Sequence, residues 1–463
     1  MFLRKFIGDR DFYKKVLSLA VPIMLQNGIS NLVNMIDNIM VGSLGTEQMS
    51  GVAIVNQILF VFNLCIFGGI AGIGIFTAQY FGKGDNEGIR RTFRLKLLTG
   101  IFILAAALAL FSSCGDVLIR SFIHESESAA DLALAFKSAS DYLKIMMLGL
   151  FPFVITNVYS STLRETEKPM LPMISGIIAV MINLTLNYLL IFGKLGLPAL
   201  GIRGAAVATV ISRISECLII ATASHLSKKS HPYLEGVYKT LLIPVSEFKR
   251  ILPKSLPLLI NETFWAAGTA MLTRCYSLRG LDAVAAANIC STITNIFIIA
   301  AITFGDSIAI IVGGLLGAGE LEKAKDTDRK LIAFSFAVCS ALAVILACTS
   351  DIYPRAFNTS EISREFAAVF LKCYALYLPF NSLINSCYFT LRCGGKTIVT
   401  FLFDSVYMIF VCVPFTYVLA KYTAIPVTAV YAGSLAIEVF KVIIGLTLVK
   451  KGAWINNLVK SEN

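Results

Sequence analysis

Acidic and amide side chains inside long apolar stretches are the residues of this sequence that could do chemistry. Asp37 is the only acid in the first apolar stretch, and Glu262 follows Asn261 near the middle of the seventh. A charge in hydrocarbon is costly, so such an acid is by default a candidate for an ion or substrate pathway. Burial favours the neutral form of a carboxyl group, which suits exchange of a proton. We interpret both acids as candidate ion-binding residues. The alternative for each is a structural role, with Asp37 capping a helix end or Glu262 bonded to a neighbouring amide.

Further polar side chains in the apolar stretches indicate a substrate path. Gln26 and Asn34 share one broad helical face with Asp37, and Asn261 and Trp265 lie beside Glu262. Such a face must look into protein or water, not lipid. For most of these residues packing or a structural hydrogen bond is the competing interpretation. The full set of candidate cavity residues is Gln26, Asn34, Asn157, Asn261, Trp265, Asn288, Asn295, Asp306, Asn385 and Asp404.

The elements that must position these residues are membrane-spanning helices. The chain is 56% hydrophobic and 15% charged, with a mean hydropathy of +0.75. A span needs about twenty apolar residues, and twelve windows meet that length. The sequence therefore predicts an all-α integral membrane protein with twelve spans, at roughly 14–38, 51–80, 95–113, 132–162, 170–193, 200–226, 248–276, 284–315, 330–349, 363–391, 396–420 and 426–449.

The chain also repeats itself. Pro22 and Pro257, Gly82 and Gly317, and Arg94 and Arg329 are all 235 residues apart. Each half holds six spans, an even number, so both halves begin on the same side and the repeat is parallel, an arrangement typical of secondary transporters. We therefore expect two six-helix bundles. The predicted boundaries are an N-terminal lobe over 1–226, a cytoplasmic linker over 227–247 and a C-terminal lobe over 248–463.

Charge fixes the predicted orientation. The formal net charge is +11, which could indicate a nucleic-acid partner. With the N-terminus in the cytoplasm, however, most Lys and Arg residues fall in the inner loops, as the positive-inside rule requires. We therefore predict no nucleic-acid partner and place both termini in the cytoplasm, in a plasma membrane. The three histidines and eleven cysteines show no metal-ligand spacing, so no metal or cofactor is predicted.

Several motifs together resemble the MATE (multidrug and toxic compound extrusion) transporter family. They are the stretch around Pro22, Asp37 and Val41-Gly42, the run Gly82-Lys83-Gly84-Asp85, its repeat at Leu316 to Glu320, and Asn261-Glu262 with Trp265 and Gly268. The resemblance covers nearly the whole chain. It implies export of amphipathic, often cationic compounds, driven by a proton or sodium gradient, through two lobes that alternate between outward and inward states.

The resemblance also implies roles for individual residues. Asp37 matches the helix-one acid of the family, with Pro22 as the hinge of that helix, and Asn183 matches an amide of the same pocket. Asn187 stands where many DinF-like members have an aspartate. Glu262 resembles an acid of the NorM-like cation site, but the helix-ten acid of that site has no counterpart here. The sequence thus mixes features of two branches, and leaves protons and sodium ions open as the coupling ion.

The predicted function is secondary active multidrug efflux, with drugs or toxic metabolites as substrates, membrane lipids as surroundings and a monomer as the working unit. Two related alternatives stay open, a lipid-linked oligosaccharide flippase and a narrow-specificity metabolite exporter. The acids and amides of the candidate cavity disfavour the flippase, which would need cations to hold a pyrophosphate. An enzyme is not predicted, because the spans contain no paired Asp motif, His-Glu cluster or Ser-His pair. A channel is disfavoured by the kinked parallel repeats.

Overall fold

The computed structural model of the protein describes residues 5–122 and 129–460, and within those ranges every regular element is a helix. Short 3-10 turns at Pro232–Leu234 and Tyr353–Ala356 interrupt the α-helices. In chain order the α-helices are α1 Arg10–Gly42, α2 Thr46–Lys83, α3 Asn86–Phe122, α4 Ala129–Leu148, α5 Leu150–Glu165, α6 Met170–Phe192, α7 Ile202–Leu226, α8 Val245–Ser277, α9 Leu281–Gly317, α10 Leu321–Thr349, α11 Glu361–Cys393, α12 Thr397–Phe401, α13 Val413–Tyr422 and α14 Val427–Lys450.

Eleven of the twelve predicted spans meet the length and hydropathy of a membrane helix. Ten are helices in their own right, counting Thr397–Tyr422 as one, and the eleventh is the bent pair α4 and α5. The remaining window is α8, whose 33 residues are long enough to cross a bilayer. The mean hydropathy of α8 is lowered by Asn261 and Glu262, two of the candidate site residues. The predicted all-α fold in two six-helix halves is confirmed.

Two spans depart from a straight α-helix, each beside a proline. The α4–α5 span bends by 48° at Gly149, where Pro152 has no N–H to offer the carbonyl of Leu148. The span from Thr397 to Tyr422 is π-helical over Leu402–Val406 and again over Met408–Cys412. Pro414 follows at once, and its ring would crowd the carbonyl of Phe410 in a regular α-helix.

Contacts divide the chain into two compact units. The C-terminal unit contains the described residues up to Met24, the short segment Ala78–Asp85, and the chain from Arg250 onward. The N-terminal unit contains Leu25–Thr77 and Asn86–Lys249. These bounds differ from the predicted lobes, because the first turns of α1 and the end of α2 belong with the C-terminal part of the chain. The predicted linker, residues 227–247, belongs to the N-terminal unit.

A close helix crossing inside the C-terminal unit depends on two glycines. A Cβ atom on Gly82 would lie 1.8 Å from the carbonyl oxygen of Gly314, and one on Gly317 would lie 1.9 Å from that of Gln79. The two contacts are images of each other, since both members of each pair are shifted by 235 residues. Only glycine lets the backbones of α2 and α9 approach this closely.

The predicted linker is a folded segment of the N-terminal unit. Tyr233 and Val237 are buried, and arginines of α3 hold its main chain. Arg90 Nε donates to the carbonyl oxygen of Tyr233 at 3.2 Å, and Arg94 Nε donates to that of Val237 at 2.8 Å. Two of the cations that the positive-inside rule assigned to the cytoplasmic side therefore also fix the path of this segment.

Replacing Gly82 by alanine should destabilise the protein. The new methyl group would meet a backbone carbonyl, which cannot rotate away, and overpacking of this kind costs about 1–3 kcal/mol. Gly314→Ala is the matched control, because its nearest neighbours would be 3.9 Å away, an ordinary contact. Thermal unfolding of the two purified variants in detergent measures the difference. Equal midpoints would mean that the crossing is looser than described.

Candidate functional site

Asp37 lies in a cluster of amides in the N-terminal unit. Asn187 of α6 donates its Nδ2 hydrogen to Asp37 Oδ1 at 2.6 Å and to Asn183 Oδ1 at 3.2 Å. Asn183 in turn donates to Thr209 Oγ1 of α7 at 3.3 Å. Asn183 and Asn187 are buried, one helical turn apart, whereas Asp37 is half-buried. The structure thus brings together the acid and the two amides that the sequence predicted to form one site.

The contact between Asp37 and Asn183 can be made in two ways. The side-chain atom of Asn183 that faces the acid lies 2.9 Å from Asp37 Oδ2. With the amide nitrogen in that place, Asn183 donates to an ionised carboxylate. With the oxygen in that place, it accepts a hydrogen bond from a protonated carboxyl group. Since the Thr209 hydroxyl on the far side can donate or accept, the cluster accommodates both protonation states of Asp37.

Asn187 presents a spare acceptor to the same site. Its Oδ1 atom is buried and has no hydrogen-bond partner among the described residues. A buried carbonyl oxygen without a donor is costly in a protein interior. Beside a carboxylate, such an oxygen suits a bound cation or water, because sodium and other hard cations take oxygen ligands. The cluster is therefore chemically able to hold either of the predicted coupling ions.

Further polar and charged side chains of the N-terminal unit lie on α4, α5 and α7. Tyr142 of α4 is buried within electrostatic range of both Asp37 and Arg213. Arg213 and Glu216, one turn apart on α7, lie within electrostatic range of each other. Gln26 faces α5, where Arg164 Nη2 donates to its Oε1 at 2.6 Å.

A second polar cluster lies in the C-terminal unit. Asn261, which is 2% exposed, donates to Asp404 Oδ2 at 3.3 Å and to Tyr388 Oη at 3.4 Å. Ser405 Oγ donates to Asn261 Oδ1 at 2.7 Å. Lys441 Nζ of α14 lies 3.3 Å from Asp404 Oδ1 and is itself 3% exposed. The acid here is therefore held by a fixed cation as well as by an amide.

Glu262 is next to this cluster but makes different contacts. It is half-buried and lies within electrostatic range of Arg392 and Asp404. Arg392 comes from α11 and is buried. The carboxyl group of Glu262 therefore has one cation and one further acid within electrostatic range.

Two of the remaining candidate cavity residues, Asn157 and Asn385, form hydrogen bonds within their own helices. Asn157 donates to the main chain of Phe153, and Asn385 to Asn381, both one turn earlier on their own helices. Asp306 is half-buried within α9. The exposed candidates, which face lipid or water, are Asn34, Trp265, Asn288 and Asn295. Their roles stay predictions.

Two buried lysines were not recognised from the sequence. Lys441 lies one turn after Glu438 on its own helix, yet it pairs with Asp404, whereas Glu438 accepts a hydrogen bond from Tyr377. Lys96 is fully buried, where it forms an ion pair with Glu165 and hydrogen-bonds Ser161 Oγ at 2.9 Å. A lysine within an apolar window was the available signal in both cases, but the partner in each lies on another helix.

The sequence profile of one transporter family matches this chain twice. The MatE profile covers residues 22–189 and 257–420, so that its two matches begin at the repeat-related prolines Pro22 and Pro257. The chain belongs to the MatE family. The resemblance inferred from the motifs is confirmed, and the double match agrees with the internal repeat.

Curated relatives are similar over most of their length. The chain is 26% identical over 449 residues to a probable multidrug resistance protein NorM of Thermotoga maritima, covering 95% of this chain and 93% of the relative. It is 24% identical to a probable multidrug resistance protein YoeA of Bacillus subtilis, over 91% and 90%. It is 25% identical to the multidrug resistance protein MdtK of Edwardsiella ictaluri, over 72% and 71%.

Solved structures share the fold. A mutant of the Vibrio cholerae MATE transporter VcmN superposes with a TM-score of 0.86 at 16% identity, over 97% of this chain and 98% of that one. A MOP superfamily transporter from Pyrococcus furiosus, described as having a binding pocket of reversed polarity that suggests a different function, gives 0.85 at 20% identity over 99% of each chain.

Breaking the Lys441–Asp404 pair should destabilise the C-terminal unit. Lys441→Met leaves a buried carboxylate without its cation, which costs about 2–4 kcal/mol once the partial exposure of Asp404 is considered. The double variant Lys441→Met/Asp404→Leu should recover much of that loss, because no unpaired charge remains. Unfolding midpoints of the wild type, both single variants and the double variant form the cycle that measures the coupling. Additive changes would show that the two groups do not interact.

Proposed function

We propose that this protein exports amphipathic, often cationic drugs or toxic metabolites by antiport with protons or sodium ions. The observation that carries the proposal is the contact of Asp37 with Asn183 and Asn187, since this cluster suits an acid that binds and releases an ion. Membership of the MatE family and the names of the multidrug resistance relatives support the substrate class.

The ion would act by changing the hydrogen-bond pattern around Asp37. Ionised Asp37 needs two amide donors, whereas protonated Asp37 donates to Asn183, and sodium would instead draw on the oxygen of Asn187. Each state favours a different orientation of the amides between α1, α6 and α7. Ion binding can drive transport only if the ion binds one conformation more tightly than the other. We assign that difference to this rearrangement.

Pro22 is proposed as the hinge that passes the change along α1. The helix is continuous from Arg10 to Gly42, yet its residues up to Met24 belong to the C-terminal unit and those from Leu25 to the N-terminal unit. The change of unit falls within one turn of Pro22. Since proline removes one helical hydrogen bond, bending is cheapest there.

Glu262 is proposed as a second ion-linked acid, with a different task from Asp37. Its neighbours Arg392 and Asp404 give it a charged environment, in which a cationic substrate would compete with a fixed cation. We infer that the two units divide ion binding and substrate binding between non-equivalent acids. The plasma membrane, cytoplasmic termini and a monomer complete the proposed arrangement.

A lipid-linked oligosaccharide flippase is the alternative function, and the Pyrococcus transporter with a pocket of reversed polarity makes a change of substrate within this fold a real possibility. The amide-rich surroundings of Asp37 favour a cation over a pyrophosphate. A narrow-specificity metabolite exporter would use the same ion chemistry and differ only in the substrates that it accepts.

Efflux of a fluorescent cationic dye from proteoliposomes tests the proposal, with a proton gradient and a sodium gradient imposed separately. We expect one gradient to drive efflux, and Asp37→Asn to slow it about 5- to 150-fold, the range that loss of a coupling free energy of about 1–3 kcal/mol produces. Glu262→Gln should reduce efflux as well, with a larger effect on the apparent affinity for the dye.

The matched control is Asp351→Asn, which removes an exposed acid paired with Lys372 outside both clusters and should leave efflux unchanged. Unchanged gradient-driven efflux in an Asp37→Asn/Glu262→Gln double variant would rule the mechanism out. Absence of dye movement in the wild type under both gradients would shift weight to the alternatives.

Pro22→Ala tests the hinge. Restoring an N–H at position 22 gives the carbonyl of Ser18 its helical partner, so α1 should gain stability, by up to about 3 kcal/mol, while efflux slows. Val21→Ala, a change at an exposed neighbour, controls for loss of a side chain. Efflux at the wild-type rate in a variant with a raised unfolding midpoint would contradict the hinge.

A further inference from the structure

A cavity of about 780 Å³ lies in the C-terminal unit, apart from both acid clusters. Side chains of α10, α11 and α14 line it, together with Phe6 and with Trp454 and Ile455 from the segment after α14. The start of α10 and the end of α14 face the predicted cytoplasmic side. The cavity is large enough for a drug-sized or headgroup-sized ligand.

Its lining is amphipathic and strongly cationic. Lys325, Arg329, Lys450 and Lys451 contribute four positive charges, and Asp328 is the one acid among the lining residues. Asp328 is buried, and its Oδ1 accepts a hydrogen bond from Thr390 at 2.6 Å. The rest of the lining is largely apolar and includes Ile332, Phe336 and Leu446.

Most of the cations that line this cavity have no ion-pair partner among the described residues. Arg329, Lys450 and Lys451 are exposed, and in the ranges 5–122 and 129–460 none of them makes a side-chain hydrogen bond or an ion pair. Lys325 pairs with Glu322, which is one turn earlier and 87% exposed. An exposed pair of this kind contributes little and is readily exchanged for another anion.

The internal repeat shows what such cations do when they are satisfied. Arg90 and Arg94 are the counterparts of Lys325 and Arg329, 235 residues earlier. Arg94 donates to the carbonyl oxygens of Val237 and Gly236, and Arg90 donates to those of Tyr233 and Pro232. In the N-terminal unit, therefore, the segment that follows the sixth span supplies oxygen acceptors to both cations.

The corresponding segment of the second half takes another path. Residues 451–460 follow α14 and are held by α2, where Gln79 Oε1 accepts the N–H of Leu458 at 2.7 Å and Lys83 Nζ donates to the carbonyl of Val459 at 2.9 Å. Trp454 remains buried at the cavity wall. Lys325 and Arg329 thus line a cavity, whereas their counterparts Arg90 and Arg94 donate to main-chain carbonyl oxygens.

We propose that this cavity binds the headgroup of an anionic phospholipid of the cytoplasmic leaflet. The phosphate oxygens would take the place that the carbonyl oxygens of the segment 232–237 take in the other half, and an acyl chain would follow the apolar side of α10. Basic pockets between transmembrane helices on the cytoplasmic side recognise anionic lipids by this chemistry. The site is independent of ion-coupled transport.

Trp454 provides an internal probe for the test. The chain has two tryptophans, so a Trp265→Phe background leaves Trp454 as the only tryptophan, which can be excited selectively above the absorption of tyrosine. The full-length protein is reconstituted in phosphatidylcholine vesicles in which part of the lipid is brominated phosphatidylglycerol or, separately, brominated phosphatidylcholine. We expect the anionic lipid to quench Trp454 at lower mole fractions than the zwitterionic lipid does.

Variants then identify the cations. Arg329→Gln and Lys450→Gln should each weaken the anionic preference about fivefold, the effect expected of one basic residue at a membrane surface. Lys323→Gln removes an equal charge from the same end of α10 but outside the cavity, and should keep the preference. The thermal unfolding midpoint of each variant is measured as well, so that a misfolded variant is recognised.

Three results would overturn the proposal. The first is equal quenching of Trp454 by both brominated lipids. The second is an equal loss of preference in Lys323→Gln and Arg329→Gln, which would reduce the effect to general surface charge. The third is full relief of quenching by millimolar glycerol 3-phosphate, which would identify a soluble anion rather than a lipid as the ligand.

Discussion

The cost of an unpaired polar group in a medium of low dielectric governs this structure. It explains why Asp37 and Asp404 each have a partner from another helix. The two units meet this requirement differently. Amides hydrogen-bond Asp37, whereas Asp404 lies beside the ammonium group of Lys441. The same physical constraint is therefore met by neutral amides in one unit and by an ion pair in the other.

The two repeats share their backbone geometry but differ in their intramembrane acids. The reciprocal glycine contacts of α2 and α9 obey the 235-residue repeat, because a backbone crossing at van der Waals distance tolerates no side chain. The acids do not obey it, since position 272, the counterpart of Asp37, is a leucine and position 27, the counterpart of Glu262, is an asparagine. Backbone geometry is shared by both halves, whereas the side chains that face the interior differ.

Hydropathy and the repeat were sufficient for the spans and their number in each half, whereas the grouping of Asp37 with Asn183 and Asn187 was implied by the resemblance to the MATE family. Hydropathy reflects the transfer free energy of a whole segment, and the repeat gives the correspondence between the two halves. Neither inference requires knowledge of tertiary contacts. The pairing of Lys441 with Asp404 did not follow, because Glu438 was nearer along the helix and helix packing decides between them. The folded path of residues 232–237 is likewise a tertiary outcome that no local pattern encodes.

The division of the chain into units has a consequence for fragment complementation. The chain changes unit at four places, between residues 24 and 25, 77 and 78, 85 and 86, and 249 and 250. A cleavage within residues 227–247 would therefore separate the two sequence halves. It would not separate the two compact units, because each sequence half contains residues of both units. The C-terminal fragment would lack the first turns of α1 and the end of α2. The missing part includes Gln79, which accepts a hydrogen bond from Leu458 in the C-terminal segment of that fragment. Two such fragments would be incomplete alone, and each could finish folding only in the presence of the other.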